Sequence, residues 1–374
     1  MKLSKKILLS FSLCLFISPV FADQSLVHKT EIRAAQGNAE AQNNLGIMYV
    51  NGRSVIRSEN KAIEWFSKAA AQGHADAQNN LGLMYYQGHD VIRNDSKAIE
   101  WFSKAAAQGH ADAQNNLGAM YYTGRGVNQS DSKAFEWYSK AAAQGNASVQ
   151  YNLGLMYANG RGVAQSDTKA FEWYSKAAAQ GHADAQNNIG VMYDNGQSIV
   201  QSDTKAFEWY SKAAAQGYVL AQHNLGLMYA KGRGVAQSWF KAFEWYSKAA
   251  AQGHADAQYR LGVMYDNGQS IARSDTKAFE WYSKAAAQGN AEAQNNLGIM
   301  YLNGQGISEN SALGIEWLLK AASNGNAMAQ FNIAQSYLDG TNGLPQNRTQ
   351  ALNWLKKAAN NGHAQAELML AGLQ

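Results

Sequence analysis

Apolar side chains recur along this chain in two alternating patterns, and both patterns have the spacing of an amphipathic helix. Residues 74–109 show the two patterns in sequence. The apolar positions are Ala77, Leu81, Met84 and Tyr85 in the first half, and Ala98, Trp101, Phe102, Ala105 and Ala106 in the second half. This spacing places each set on one face of a helix. The segment is therefore predicted to form two helices of about three turns each.

The two patterns repeat together at a fixed interval. An Ala-Gln-Gly tripeptide or a close variant closes each copy, and successive glycines are 36 residues apart, except for the last pair at 37. The glycines are Gly37, Gly73, Gly109, Gly145, Gly181, Gly217, Gly253, Gly289, Gly325 and Gly362. Nine repeats therefore occupy residues 38–362. So short a helix pair buries too little surface alone, and we expect neighbouring copies to stack on one another.

Polar residues and glycines mark the predicted helix ends. A serine or asparagine precedes each tryptophan of the second helix by seven positions, and both residue types favour the N-cap. These residues are Ser58, Asn94, Ser130, Ser166, Ser202, Ser238, Ser274, Asn310 and Asn347. Gly88 and Gly109 suit the left-handed conformation that ends a helix. Gly82 lies inside the first helix, where glycine costs about 1 kcal/mol against alanine, so we expect the partner helix to pack closely against it.

The two ends of the chain differ from the repeats. Residues 1–22 have three lysines, an apolar stretch and a Val20-Phe-Ala22 ending, which together are typical of a cleaved signal peptide. The only cysteine, Cys14, lies within this segment. Residues 23–37 and residues 363–374 look like single helices, and we predict that they cap the array. After cleavage, no stretch is long and apolar enough to span a membrane.

The repeat resembles the Sel-one-like repeat, a relative of the tetratricopeptide repeat. In the fifth copy the matching residues are Ala185, Gln186, Asn188, Ile189, Gly190, Met192, Tyr193, Lys205, Ala206, Trp209, Tyr210, Lys212, Ala213 and Ala214. The resemblance implies an all-α fold, a right-handed α/α superhelical solenoid of antiparallel helix pairs. It also implies an adaptor that holds proteins or peptides along a concave surface. Bacterial members with signal peptides are often linked to the cell envelope, to host interaction or to competition between bacteria.

Charge and composition narrow the classes of partner. Thirty-two basic and 28 acidic residues give a net charge of +4, and removal of the three signal-peptide lysines leaves +1. A nearly neutral surface with mixed signs is not typical of a nucleic-acid-binding protein. We therefore expect another protein or peptide as the partner, no nucleic acid and no cofactor.

One motif resembles a catalytic motif and one set of histidines resembles metal ligands, but both have structural explanations. Ser-x-x-Lys, the acylation motif of β-lactamases and penicillin-binding proteins, occurs six times in one register, as at Ser58 and Lys61. Its companion motifs Ser-Asp-Asn and Lys-Thr-Gly do not occur, so we interpret the serine as an N-cap. The histidines share another register, and we expect them to start helices rather than bind a metal. They are His74, His110, His182, His254 and His363.

Candidate partner-binding residues are those at which otherwise similar repeats differ. The register of Asn79 holds Tyr151, His223 and Tyr259 in other repeats, and a helical wheel places this register away from the core leucine. We therefore expect these side chains to be exposed, with Arg260 beside Tyr259. The sixth repeat diverges most in mid-array, and it adds Tyr218, Leu220, Trp239 and Phe240 to the candidates. Neutral drift after duplication, or a local repacking, is the alternative explanation.

These observations predict a non-catalytic interaction scaffold, periplasmic or secreted, in the bacterial envelope. No catalytic residue and no metal ligand is predicted. Two alternatives remain open from the sequence. One is an immunity protein that neutralises a secreted toxin in the periplasm, and the other is a penicillin-binding or weakly β-lactamase-like enzyme.

Overall fold

A computed structural model describes residues 24–88 and 92–373, so the predicted signal peptide at 1–22 lies outside the described residues. The regular secondary structure of the described residues consists of twenty helices without a strand. The helices are α1 Gln24–Ala35, α2 Ala39–Asn51, α3 Glu59–Ala71, α4 Ala75–Gln87, α5 Asp95–Ala107, α6 Ala111–Thr123, α7 Asp131–Ala142, α8 Ala147–Asn159, α9 Asp167–Ala179, α10 Ala183–Asn195, α11 Asp203–Ala215, α12 Val219–Lys231, α13 Trp239–Ala251, α14 Ala255–Asn267, α15 Asp275–Ala287, α16 Ala291–Asn303, α17 Ser311–Ser323, α18 Ala327–Asp339, α19 Arg348–Asn360 and α20 Ala364–Leu373.

The chain divides into two compact blocks, residues 1–201 and residues 202–374. The N-terminal block contains α1 to α10 and the C-terminal block contains α11 to α20. Within each block, each helix contacts the next one along the chain, and an antiparallel pair of helices forms one repeat. This arrangement confirms the predicted all-α solenoid. Helices α1 and α20 lie in the segments predicted to cap the array, and their capping role stays a prediction.

Side-chain caps start the helices as the sequence predicts. At the second helix of every repeat, the serine or asparagine side chain accepts a hydrogen bond from the backbone N–H three residues later. At the first helix, His110 Nδ1 accepts from the backbone N–H of Ala113 at 3.2 Å, and His74, His182, His254 and His363 do the same in their repeats. The helix-start role of these histidines is therefore confirmed. The Ser-x-x-Lys serine likewise bonds the backbone of its own lysine.

Within each block, a glycine in the first helix of the first eight repeats lets the second helix approach closely, whereas the ninth repeat has Ala334 there. A Cβ built on Gly82 would lie 2.6 Å from two ring carbons of Phe102, which is far inside van der Waals contact. The expected close packing is confirmed, because similarly short separations recur through both blocks. The pairs are Gly46 with Phe66, Gly118 with Tyr138, Gly154 with Tyr174, Gly226 with Tyr246, Gly262 with Tyr282 and Gly298 with Leu318.

We predict that Gly82→Ala destabilises the protein although alanine is the better helix former. Relief of the glycine penalty is worth about 1 kcal/mol, whereas overpacking against the Phe102 ring costs about 1–3 kcal/mol. The midpoint of urea unfolding, followed by circular dichroism, measures the balance. Ser96→Ala, at an exposed position of α5, is the control and should not lower the midpoint. A higher midpoint for Gly82→Ala would contradict the packing explanation.

Within each block, a buried glutamine joins three successive helices. Gln78 of α4 is 5% exposed, and its Nε2 donates to the Ala70 carbonyl of α3 at 3.1 Å. Its Oε1 accepts from Gln108, the residue that ends α5, at 2.7 Å. The bond to the preceding helix occurs in nine repeats, at Gln42, Gln78, Gln114, Gln150, Gln186, Gln222, Gln258, Gln294 and Gln330. These buried amides therefore connect each repeat to the one before it.

Loss of this amide is predicted to weaken the stack. Gln78→Leu keeps the side-chain volume but leaves the Ala70 carbonyl and the Gln108 amide without their buried partner, at a cost of about 1–3 kcal/mol. Chemical unfolding of the full chain measures the loss. Gln87→Leu changes an exposed glutamine of the same helix and serves as the control. Equal unfolding curves for the two variants would show that the buried amide does not connect the repeats energetically.

None of the helices in the described residues is long and apolar enough to cross a membrane.

Candidate functional site

The register of Asn79 is buried in eight repeats and half-buried at Tyr259, and the prediction of exposure was wrong for Tyr151 and His223. Asn79 is 4% exposed and Tyr151 is fully buried, while His223 is 8% exposed. Within each block, the first helix of a repeat has one face packed against its partner helix and another face packed against the next repeat. A position opposite the core leucine therefore meets the next repeat and not solvent. In the usual arrangement, Asn116 Nδ2 donates to Asn79 Oδ1 across this boundary at 3.1 Å.

Aromatic residues in this register stack on the histidine that starts the next repeat. The Tyr151 and His182 ring centroids are 4.7 Å apart, and those of His223 and His254 are 4.6 Å apart. Phe331 and His363 form the same contact at 4.3 Å. Tyr151 and His223 are therefore interior contacts between repeats, and Tyr151 cannot serve as the exposed contact anchor that we predicted.

The other candidates of the sixth repeat differ in exposure. Tyr218 takes the N-cap position of α12 without making the side-chain cap bond of other repeats, and both Tyr218 and Leu220 are half-buried. Trp239 is half-buried against the core of its repeat. Phe240 is 60% exposed, which is unusual for so large an apolar side chain. The binding roles of Tyr218, Leu220 and Phe240 stay predictions.

Two cavities lie side by side along α14, and Arg260 lines both of them. The apolar cavity has a volume of about 200 Å³ and is lined by Leu227 and Ala230 of α12, by Trp239 of α13, and by Arg260, Val263, Met264 and Asn267 of α14, among others. The polar cavity has a volume of about 300 Å³ and is lined by His223, Asp256, Tyr259, Arg260, Asn290 and Glu292. We call the two cavities together the α14 groove.

Helical spacing explains why the groove follows α14. Asp256, Arg260, Val263 and Asn267 are separated by three or four residues, so their side chains share one face of the helix. From Asp256 to Asn267 this face is about 17 Å long at the usual rise per residue. Arg260 stands near its middle. The groove therefore has a polar end at the start of α14 and an apolar end towards its last turn.

The apolar cavity lies where Ala230 takes a position that a tyrosine holds in two other repeats. In the second and third repeats, Tyr86 and Tyr122 occupy the register of Ala230. The Arg125 guanidinium lies over the Tyr86 ring at 3.5 Å and also bonds Asp95 of its neighbouring repeat. Ala230 and Gln269 hold the corresponding positions in the sixth and seventh repeats, and both line the cavity. A side-chain pair that covers the surface elsewhere is thus replaced by open space.

A second departure produces the polar cavity. Asn116 donates to Asn79 in the third and second repeats, and the residues at these two positions in the seventh and sixth repeats are Arg260 and His223. The exposed Arg260 guanidinium lies 5.5 Å from the Tyr259 ring centroid. Among the described residues His223 Nδ1 is buried with no hydrogen-bond partner. A neutral amide pair is therefore replaced by a cation and an unsatisfied imidazole nitrogen.

The electrostatic surroundings keep His223 neutral. Burial, as the main cause, and the charges of His254 and Arg260 lower the pKa of His223 from 6.5 to about 4, while Asp256 acts in the opposite direction. Burial also lowers the pKa of His254, whose ring stacks on His223. On the acidic side of the cavity, Asp256 accepts a hydrogen bond from Asn290 Nδ2 at 2.9 Å.

We predict that His223 makes the protein less stable in mild acid. The unfolded chain binds a proton at His223 near pH 6.5 while the folded chain does so only near pH 4, so stability falls as pH decreases between these values. The slope from this residue is at most about 1.4 kcal/mol per pH unit. Urea unfolding at several pH values should show a smaller slope for His223→Asn. The same slope in both proteins would contradict the buried, neutral imidazole.

The structure brings together four of the eight predicted site residues. His223, Trp239, Tyr259 and Arg260 line the α14 groove, whereas Tyr151 lies in the N-terminal block. Ala230, Gln269 and Glu292 also line the groove and were not predicted from the sequence. Ala230 carries no clear signal, because its register also holds Ala158, Asp194 and Asp266. Glu292 carries no signal either, since Glu40 occupies the same register.

Nine of the ten tryptophans recur at one position of the repeat, and each of these nine is half-buried and covered by a lysine. The ammonium group three residues later lies over the ring, as at Trp101 and Lys104, where the distance to the centroid is 4.1 Å. The others are Trp65, Trp137, Trp173, Trp209, Trp245, Trp281, Trp317 and Trp354. The lysine cover leaves these rings poorly suited to stack on a ligand.

Comparisons with known proteins agree with the repeat architecture. A crystal structure described as a protective antigen of uropathogenic Escherichia coli strains with an SLR fold is 34% identical, with a TM-score of 0.76. The match covers 93% of this chain and 82% of that chain. A Sel1 repeat protein from Oxalobacter formigenes is 32% identical with a TM-score of 0.65, over 87% of this chain and 96% of that chain. The comparison with curated proteins gave no match.

The family model for the Sel1 repeat matches nine consecutive segments. They are residues 39–74, 75–110, 111–146, 147–182, 183–218, 219–254, 255–290, 291–326 and 327–363. These segments follow the predicted repeats with a shift of one residue at the start. The chain therefore belongs to the Sel1 repeat family.

Proposed function

We propose that this protein is a non-catalytic scaffold that binds another protein or peptide in the α14 groove. The observation that carries the proposal is the convergence of two separate departures from the repeat pattern on one surface. Ala230 opens an apolar cavity, and Arg260 with His223 places polar groups beside it. Apolar lining with a few polar groups is the usual composition of a binding site.

A binding role also agrees with the way the repeats use their reactive-looking side chains. The serines of Ser-x-x-Lys accept backbone hydrogen bonds at helix starts, and the histidines of the first helices do the same. A hydroxyl that caps a helix lies beside backbone N–H groups and not beside a general base, so it is not activated as a nucleophile. The enzymatic alternative predicts hydrolysis of nitrocefin by the purified protein, and the scaffold predicts none.

We propose a periplasmic or secreted location, which rests on the signal-peptide pattern of residues 1–22. The relative from uropathogenic Escherichia coli is described as a protective antigen, a description that fits a protein outside the cytoplasm. Within this location an immunity protein is a special case of the same binding role. A neighbouring gene for a secreted toxin would favour it.

Affinity capture tests the scaffold. The mature chain serves as bait in an envelope extract, and mass spectrometry quantifies the captured proteins. Ala230→Tyr should reduce capture of the specific partner at least about tenfold, because a tyrosine like Tyr86 then fills the apolar cavity. Equal capture by the wild-type chain and Ala230→Tyr would refute binding in the groove.

A matched control exists in the fourth repeat. Ala158 occupies the register of Ala230, but the Leu155 beside it is fully buried whereas Leu227 beside Ala230 is half-buried. Ala158→Tyr therefore makes the same chemical change where the neighbouring surface is already covered. Capture by this variant should equal capture by the wild-type chain. A partner lost from both variants would indicate a general effect of the added ring.

A further inference from the structure

We propose that the α14 groove recognises the free carboxyl terminus of a polypeptide whose last side chain is apolar and which carries a basic side chain just upstream. This inference rests on the proposed binding function and specifies its ligand. Arg260 would hold the carboxylate, the apolar cavity would hold the last side chain, and the acidic groups of the polar cavity would face the basic side chain.

Arg260 is suited to a carboxylate because of its position and its partners. Its side chain lines both cavities, so a ligand group bound to it has one cavity on each side. None of the ion pairs in the described part of the chain involves Arg260, in contrast to Arg125 and Arg161, which bond Asp95 and Asp131. A guanidinium pairs with a carboxylate through two parallel hydrogen bonds.

His223 supplies a second polar group at the same point. Its Nδ1 is buried and has no partner among the described residues, although buried polar atoms are normally hydrogen-bonded. In the tautomer that carries the proton on Nδ1, this nitrogen donates to a carboxylate oxygen. A bound carboxylate would therefore satisfy a group that the protein itself leaves unsatisfied.

The apolar cavity selects the last side chain. Its volume of about 200 Å³ lies below the range of drug-sized sites, so it holds one side chain rather than a longer segment. Leu227, Val263 and Met264 line it together with the half-buried Trp239. Burial of a leucine or phenylalanine side chain here contributes apolar area that the unfilled groove leaves in water.

A C-terminal residue fits the two cavities better than an internal acidic residue does. At a chain end the α-carboxylate and the side chain diverge from one Cα, so one group can reach Arg260 while the other enters the apolar cavity. In an extended internal segment, an acidic side chain and its apolar neighbour point to opposite faces. They could not both face the α14 groove. The geometry therefore favours a chain end.

The polar cavity determines the charge upstream. Glu292 and Asp256 line it, and Asp256 is held by Asn290. These carboxylates repel a ligand that is acidic throughout and attract one that carries lysine or arginine before its last residue. The remaining chain leaves along the polar end of the groove, past Tyr259. The polar cavity thus contains a cation and two carboxylates, which match a ligand with a terminal carboxylate and a basic side chain.

Fluorescence anisotropy with the purified full-length mature protein tests the ligand. The probe is an N-terminally labelled peptide, Gly-Ser-Gly-Lys-Ser-Leu, with a free carboxyl terminus. Amidation of this terminus, replacement of its leucine by aspartate, and replacement of its lysine by glutamate should each weaken binding at least about tenfold. A fourth peptide has an amidated end and an internal Glu-Leu pair, and it should bind no better than the amidated probe.

Protein variants separate recognition from folding. Arg260→Asn and Ala230→Tyr should each weaken binding of the free-carboxylate peptide at least about tenfold, while Ala158→Tyr should not. The double variant His223→Asn with Arg260→Asn restores the pair that Asn79 and Asn116 form, so it should unfold no earlier than the wild-type chain and still fail to bind. This variant excludes misfolding as the cause of lost binding.

Three results would overturn the terminal ligand, and a fourth would also refute the proposed function. Equal affinity for the free and amidated peptides would exclude recognition of the carboxyl terminus, and equal affinity for the internal Glu-Leu peptide would assign the site to an acidic side chain. Failure of all peptides to bind, together with capture of a protein by the wild-type chain that Ala230→Tyr abolishes, would refute the terminal ligand alone. Loss of that difference in capture would refute the proposed function as well.

Discussion

The buried glutamine amide is the interaction on which the stacking of the repeats depends. Gln78 reaches the last turn of the preceding helix with its nitrogen and receives the amide of Gln108 with its oxygen. An amide donates through its nitrogen and accepts through its oxygen, and these are separate atoms, so one residue can join three helices. An apolar residue would bury equal volume but would leave helix-end carbonyls without partners. This requirement explains why the Ala-Gln pair recurs so regularly.

Because the buried glutamine and the close packing of the two helices hold the repeats together, other positions can change without loss of the fold. The boundary between repeats is closed by an Asn79–Asn116 pair, by a Tyr151–His182 stack or by a Phe331–His363 stack. The three solutions have different chemistry and occupy the same space. Residue differences at this boundary therefore mainly reflect alternative packing. A difference between repeats is weak evidence for a binding site when nothing else supports it.

Because different side chains can close the same boundary between repeats, the sequence of one repeat does not predict which of its side chains are exposed. Helix starts at Ser130 and His110 follow from local hydrogen bonding, and Gly82 follows from close packing, so a single repeat contains the information for each. The burial of Tyr151 depends on the neighbouring repeat, and a helical wheel with one buried face predicts the wrong side. The α14 groove depends on Ala230, Arg260 and Gln269 together. Residues from separate repeats become neighbours only when the stack is built.

A cavity or a charge alone would carry little functional meaning in such a protein. Ala158 shows that a small residue in the register of Ala230 can lie beside a core that remains closed, because Leu155 there is fully buried. An arginine in the register of Arg260 on a closed surface would be one more solvated cation, worth little to a partner. At Arg260, a ligand side chain that fills the adjacent apolar cavity would cover the exposed guanidinium and so strengthen its attraction for a carboxylate. The joint occurrence of the two features, rather than either one, therefore distinguishes the sixth and seventh repeats as a recognition surface.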